Sequence, residues 1–72
     1  MVMKFEEFVG LIGNRVTFHL ANGPKLVGSF EDVEISDNYD DDEAIAYVRD
    51  EHGWLIEIAY SEIARVENMK EQ

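Results

Sequence analysis

The sequence predicts a mainly-β fold, a small five-stranded, strongly bent antiparallel barrel that begins with a short helix. Three observations lead to this prediction. Apolar residues recur at a helical period only near the N-terminus and at a period of two afterwards. Turn-forming residues then follow at intervals of roughly ten residues. A glycine also lies inside the longest predicted strand. With 72 residues, the chain is expected to be a single domain, residues 1–72.

The helix is predicted at about residues 4–12 because apolar side chains there lie three and four residues apart and form one stripe. Gly13 is expected to end it. A helix this short does not hold alone, so the stripe must lie on an apolar surface. The residues of the stripe are Phe5, Phe8, Val9 and Ile12.

Two strands joined by a hairpin are predicted next, at about 15–21 and 25–35. Apolar and polar residues alternate in the first strand, which is typical of a half-buried strand. Asn22-Gly23 indicates a tight turn, because both residue types tolerate a positive φ. Gly28 lies inside the second strand, where glycine usually marks a sharp bend.

The last three strands are predicted at about 44–50, 54–60 and 63–67. The strand at 54–60 is apolar and rich in β-forming residues, so as an open edge it would favour pairing with another chain. Such pairing, repeated head to tail, closes a ring. We expect that subunit interface to involve Trp54, Ile56, Ile58, Ile63 and Val66.

The acidity of the chain is local. The formal net charge is −10, and eight of the 16 acids lie between Glu31 and Glu43, a segment without Lys or Arg. Such a segment suits a solvated loop, a binding face for a basic protein, or a divalent-cation site. The residues of the cation alternative are Asp40, Asp41, Asp42 and Glu43.

Composition excludes several classes of function. Without cysteine, the chain can form neither disulfides nor thiolate zinc sites, which suits a reducing compartment and a cytoplasmic location. Nothing approaches the ~20 apolar residues of a membrane-spanning helix. His19 is expected on the surface or at an interface, and His52 in a turn. We expect no enzymatic activity, no metal ligands beyond the acidic alternative above, and no cofactor.

This order of parts resembles the Sm-like family, which includes the Sm and LSm proteins and bacterial Hfq. The resemblance covers about residues 5–67. The first family motif is similar here, with Asn22-Gly23 after an apolar strand and Gly28 in the next one, followed by Glu34 and Asn38. The second motif is divergent, since Ile63 and Val66 fit it but Ala59-Tyr60 stands where the family has Arg-Gly.

The resemblance implies a homo-oligomeric ring of roughly five to seven subunits. It also implies single-stranded RNA as a partner, with Asn38 hydrogen-bonding a base edge. The family's two stacking positions are Ser36 and Ala59 here, so Tyr39 and Tyr60 are the residues expected to replace them. Packing of Tyr60 against a neighbouring subunit is the other interpretation. The alternative function is an acidic protein-interaction or assembly module that does not bind RNA.

Overall fold

The computed structural model describes residues 3–35 and 43–69 of the chain. The five strands of the predicted mainly-β fold are confirmed, and each begins and ends within one residue of its predicted bounds. The elements in chain order are helix α1 (Phe5–Val9), strands β1 (Arg15–Leu20), β2 (Lys25–Glu34), β3 (Ile45–Asp50) and β4 (Leu55–Ala59), a 3₁₀ turn (Tyr60–Glu62) and strand β5 (Ile63–Asn68).

Helix α1 ends three residues earlier than predicted. Gly10 is its C-cap, and the backbone N–H groups of Leu11 and Ile12 then bond to carbonyls three residues back, at 3.0 and 3.1 Å. Bonds of this kind form tight turns rather than α-helix. No helix within residues 3–35 and 43–69 has the length and apolar character needed to cross a membrane.

All five strands belong to one antiparallel sheet, in the order β4-β3-β2-β1-β5. Strand β2 pairs with β1 along its first half and with β3 along its second half, so Gly28 lies opposite both Val16 and Asp50. A Cβ atom at Gly28 would lie 2.4 Å from the Arg49 carbonyl oxygen. Only glycine therefore permits the close backbone approach at this position.

Closure of the sheet into a barrel is not confirmed. Strands β4 and β5 lie at opposite ends of the strand order, and no ladder joins them in the described part of the chain. Among the described strands, each of them therefore has a neighbour on one side only. The confirmed architecture is one open antiparallel sheet with a short helix packed on it.

The core lies between helix α1 and the inner face of the sheet. Phe8 is fully buried, with its ring centroid 4.9 Å from that of Phe30 and 5.7 Å from that of Phe18. Aromatic pairs at such separations pack more favourably than their buried area alone predicts. The buried apolar residues are Phe8, Val16, Phe18, Phe30, Ala44, Ala46, Val48, Tyr60 and Ile63.

Candidate interaction surfaces on the sheet

Two exposed apolar side chains lie at the start of β4, which pairs only with β3 among the described strands. Trp54 is 69% exposed and Leu55 is 47% exposed. Trp54 precedes β4 in the turn after β3, where its N–H donates to a carboxylate oxygen of Asp50 at 2.9 Å. Leu55 is the first residue of β4 and lies on the outer face of the sheet, opposite Arg49. An apolar, unpaired edge of this kind favours pairing with another strand.

The residues predicted for a subunit interface have different surroundings. Ile63 is 1% exposed and belongs to the core, whereas Ile58 and Val66 are half-buried and pack against it. Ile56 is also half-buried. Only Trp54 has most of its side chain in solvent. Leu55 was not among the predicted residues, although strand alternation with Ile56 indicated that its apolar side chain lies on the opposite, outer face.

Of the three residues predicted to bind RNA, the structure describes only Tyr60. Asn38 and Tyr39 lie outside the described residues, as do Asp40, Asp41 and Asp42 of the possible cation site. Tyr60 is only 7% exposed, and its hydroxyl donates to the Met3 carbonyl oxygen at 3.0 Å.

The ring of Tyr60 contacts Phe5 and Phe8 with centroid distances of 5.1 and 4.8 Å, both edge to face. Its surroundings in the subunit are therefore helix α1 and the core. A base would have to displace this aromatic packing in order to stack on it.

A shallow cavity of about 330 Å³ opens on the outer face of the sheet. A β-bulge between Phe30 and Asp32 shifts the register of β2, so Asp32 lies opposite Tyr47 and Glu31 reaches Arg49. The bulge lets the consecutive residues Glu31 and Asp32 both lie on the outer face, whereas regular strand alternation would place them on opposite faces. The lining residues are Glu31, Asp32, Tyr47 and Leu55.

Two hydrogen-bonded pairs hold the side chains around this cavity. The Tyr47 hydroxyl donates to a carboxylate oxygen of Glu34, and this bond, with the desolvation and nearby carboxylates that add to it, raises the pKa of Tyr47 to about 12. The Arg49 Nε donates to Glu31 at 3.0 Å, and its Nη1 donates to the Gly53 carbonyl oxygen at 2.8 Å. Chemically, the cavity combines carboxylates with an aromatic ring and an aliphatic side chain.

A second polar cluster lies at the other end of the sheet, on β1 and β5. His19 Nε2 is 2.5 Å from Glu67 Oε1, and the same carboxylate lies 3.9 Å from Arg65 Nη1. The hydrogen bond to His19 is the main cause that lowers the pKa of the Glu67 carboxyl below its usual range. His19 is thus part of a surface pair. His52 lies in the turn after β3, as predicted.

Within residues 3–35 and 43–69, no three side chains of His, Cys, Asp or Glu are grouped so that they could hold a metal ion. Glu43 is the one described member of the possible cation site, and it is exposed.

Comparisons with family models, with curated proteins and with solved structures find no match to this chain.

Proposed function

We propose that this protein is an Sm-like scaffold subunit that assembles head to tail through the edges of its sheet into a homo-oligomeric ring. The observation that carries this proposal is the open sheet, in which β4 and β5 end the strand order and no ladder joins them in the described part of the chain, with Trp54 and Leu55 exposed beside β4. Pairing β4 of one copy with β5 of the next would give each edge strand a second strand partner. The order of helix, hairpin and bent strand, on which the resemblance to the family rests, gives further support.

Assembly is tested by measuring the mass of the particle in solution. We expect native mass spectrometry and light scattering to give a multiple of the 8.3 kDa subunit at micromolar concentration. Leu55→Glu places a carboxylate at the joint and should weaken association by roughly tenfold or more, since burying a leucine contributes about 1.5–3 kcal/mol. Ile35→Glu is the matched control, because Ile35 is 53% exposed but does not belong to an edge strand.

A monomer for the wild-type protein at every concentration would end the proposal of a ring. An equal loss of assembly in Leu55→Glu and Ile35→Glu would show that the added charge, rather than its place at the β4 edge, is responsible.

The ligand that we propose for the ring is single-stranded RNA, contacted by Asn38 and Tyr39. The support is the position of Asn38 in the family motif and the neighbouring aromatic residue. Tyr60, whose ring packs on Phe8, would then stabilise the subunit rather than stack on a base.

Fluorescence anisotropy with oligouridine and oligoadenine at low salt tests this ligand. Tyr39→Ala should weaken binding by roughly 5- to 150-fold, the range of one lost base stack. Asn22→Ala, in the first hairpin, is the control for a general effect of substitution. No binding by the wild-type protein at concentrations near a millimolar would contradict the RNA proposal.

The cavity beside β4 favours a second candidate, an interaction module for a basic protein. Asp32 and Glu31 would meet the charged end of a Lys or Arg side chain, and Tyr47 and Leu55 would contact its aliphatic part. Asp32→Asn separates the candidates, because it should weaken capture of an arginine-rich peptide and leave RNA binding unchanged or improved. Glu51→Gln, in the turn after β3, removes the same charge outside the cavity.

A further inference from the structure

The outer face of the sheet carries opposite charge at its two ends. Near the β4 end, four carboxylates accompany one guanidinium, and near the β5 end, three cations accompany one carboxylate. The first group is Glu31, Asp32, Glu34, Glu57 and Arg49, and the second is Arg15, Lys25, Arg65 and Glu67. The protein as a whole is strongly acidic, so this local basic character is not a consequence of composition.

Each edge strand presents a charge of the corresponding sign on its outer face. Glu57 is exposed on β4, opposite Tyr47, and forms no ion pair with any residue that the structure describes. Arg65 on β5 is 58% exposed, and its contact with Glu67 is long, at 3.9 Å. Both charges therefore remain available to a group beyond the edge of the sheet.

From this arrangement we infer that Glu57 of one copy pairs with Arg65 of the next, and that this pair fixes which edges join and in which register. The inference rests on the proposed head-to-tail assembly and names the contact that specifies it. A β4–β4 joint would place two copies of the acidic end together, which is unfavourable because like charges repel across a ladder. A β5–β5 joint avoids repulsion only in the register that places Arg65 opposite Glu67, and it leaves Glu57 without a partner.

The register follows from the same charges. In a joint with Glu57 opposite Arg65, the residues that flank this pair on the inner face include Ile56 and Ile58 of β4 and Val66 of β5, which are all half-buried in the isolated subunit. The apolar inner face would thus continue across the joint. A slip of two residues that places Glu57 opposite Glu67 keeps the same faces but opposes two carboxylates. The alternation of Arg65 and Glu67 on β5 therefore selects one register.

Charge reversal tests the pair. We expect Glu57→Lys alone and Arg65→Glu alone each to weaken association by roughly tenfold per joint, because an attraction becomes a repulsion. Assembly should return when the two single variants are mixed, since every joint between unlike copies again has opposite charges. Such mixed particles can close only with an even number of subunits. The variant that carries both changes should assemble alone.

The matched control is Glu51→Lys, which makes the same charge change in the turn after β3. Glu57→Lys and Glu51→Lys lower the net negative charge equally, and this change by itself favours association. If only Glu57→Lys associates more weakly, the net charge cannot be the cause. Salt concentration alone is a poor probe, because it also screens the repulsion between copies that each carry a charge of −10.

Disulfide cross-linking tests the contact between positions 57 and 65 without a measurement of affinity. The natural chain has no cysteine, so Glu57→Cys and Arg65→Cys can be mixed under oxidising conditions. Residues directly opposite in a ladder lie within disulfide distance, and only the mixed dimer should form rapidly. Glu51→Cys with Arg65→Cys is the control.

The possible failures are distinguishable. If Glu57→Lys and Arg65→Glu both assemble as well as the wild-type protein, the pairing is wrong but head-to-tail assembly is not contradicted. The same holds if Glu51→Cys forms disulfides with Arg65→Cys as readily as Glu57→Cys does. A monomeric wild-type protein would overturn both.

Discussion

Replacing Gly28 with alanine should destabilise the protein, because the added Cβ meets backbone rather than a flexible side chain. It would lie 2.4 Å from the Arg49 carbonyl oxygen and 2.8 Å from Cγ1 of Val48. Strands β2 and β3 would have to move apart at the position where β2 turns from one partner strand to the other. Overpacking of this kind typically costs about 1–3 kcal/mol.

The opposing effect is smaller. Alanine restricts the unfolded chain and thereby stabilises a protein by about 0.4–1 kcal/mol where its native conformation is compatible. We therefore expect the free energy of unfolding to fall by about 1–2 kcal/mol. That loss is substantial for 72 residues, whose total stability is about 4–11 kcal/mol on a per-residue average.

Urea unfolding followed by far-UV circular dichroism measures this loss. With a slope of about 1 kcal/mol per molar urea, the midpoint should fall by about 1–2 M. Variants must be compared at one protein concentration, because self-association would add to apparent stability. Ser29→Ala, at the next position of β2 and exposed, should leave the midpoint nearly unchanged. An unchanged midpoint for Gly28→Ala would refute the claim that β2 and β3 approach too closely for a side chain.

Three further predictions concern the core, the outer face and a turn. Phe8→Ala should lower the free energy of unfolding by about 3–5 kcal/mol, because a fully buried ring is lost. A clearly smaller loss in urea unfolding would show that helix α1 packs only loosely on the sheet. Tyr47 should ionise near pH 12. The stability that its hydrogen bond to Glu34 contributes is therefore complete below pH 10 and is lost as the pH rises through 12. Absorbance at the tyrosinate band, with Tyr47→Phe to assign the transition, should show a lower pKa in Glu34→Ala; no change would rule out the bond. Asp50→Ala should lower the free energy of unfolding by about 1–2 kcal/mol, because the Asp50 carboxylate accepts hydrogen bonds from the N–H groups of His52 and Trp54, each at 2.9 Å. Asp50→Asn should show only part of this loss, and thermal or urea unfolding measures both variants.

The strands were predictable because their signals are local. Alternation of apolar and polar residues defines β1, and Gly28 marks the place where β2 changes partners. The first hairpin was placed correctly at Asn22-Gly23, but only Gly23 has a positive φ, of 114°. The Leu20 N–H bonds to the Pro24 carbonyl oxygen, so the connection is wider than the predicted tight turn.

The surfaces were less predictable, because they depend on breaks in alternation. Trp54 was predicted to begin the strand at 54–60, but it lies in the turn after β3, where its N–H bonds to Asp50, and most of its side chain is in solvent. The bulge after Phe30 makes Asp32 face outward beside Glu31, and nothing in the residue pattern indicated that cavity. The opposite charges at the two ends of the sheet also required the strand order, which sequence spacing does not supply.

The turn that follows helix α1 is bonded to the middle of β2. The Gly13 N–H donates to the Phe30 carbonyl oxygen at 2.7 Å, and the Phe30 N–H donates to the Asn14 carbonyl oxygen at 3.0 Å. Opening this end of the subunit therefore breaks backbone bonds of the central strand and exposes Phe8 at the same time. Native-state hydrogen exchange should find the amides of Gly13 and Phe30 exchanging with one common opening free energy, so that helix and sheet behave as a single cooperative unit.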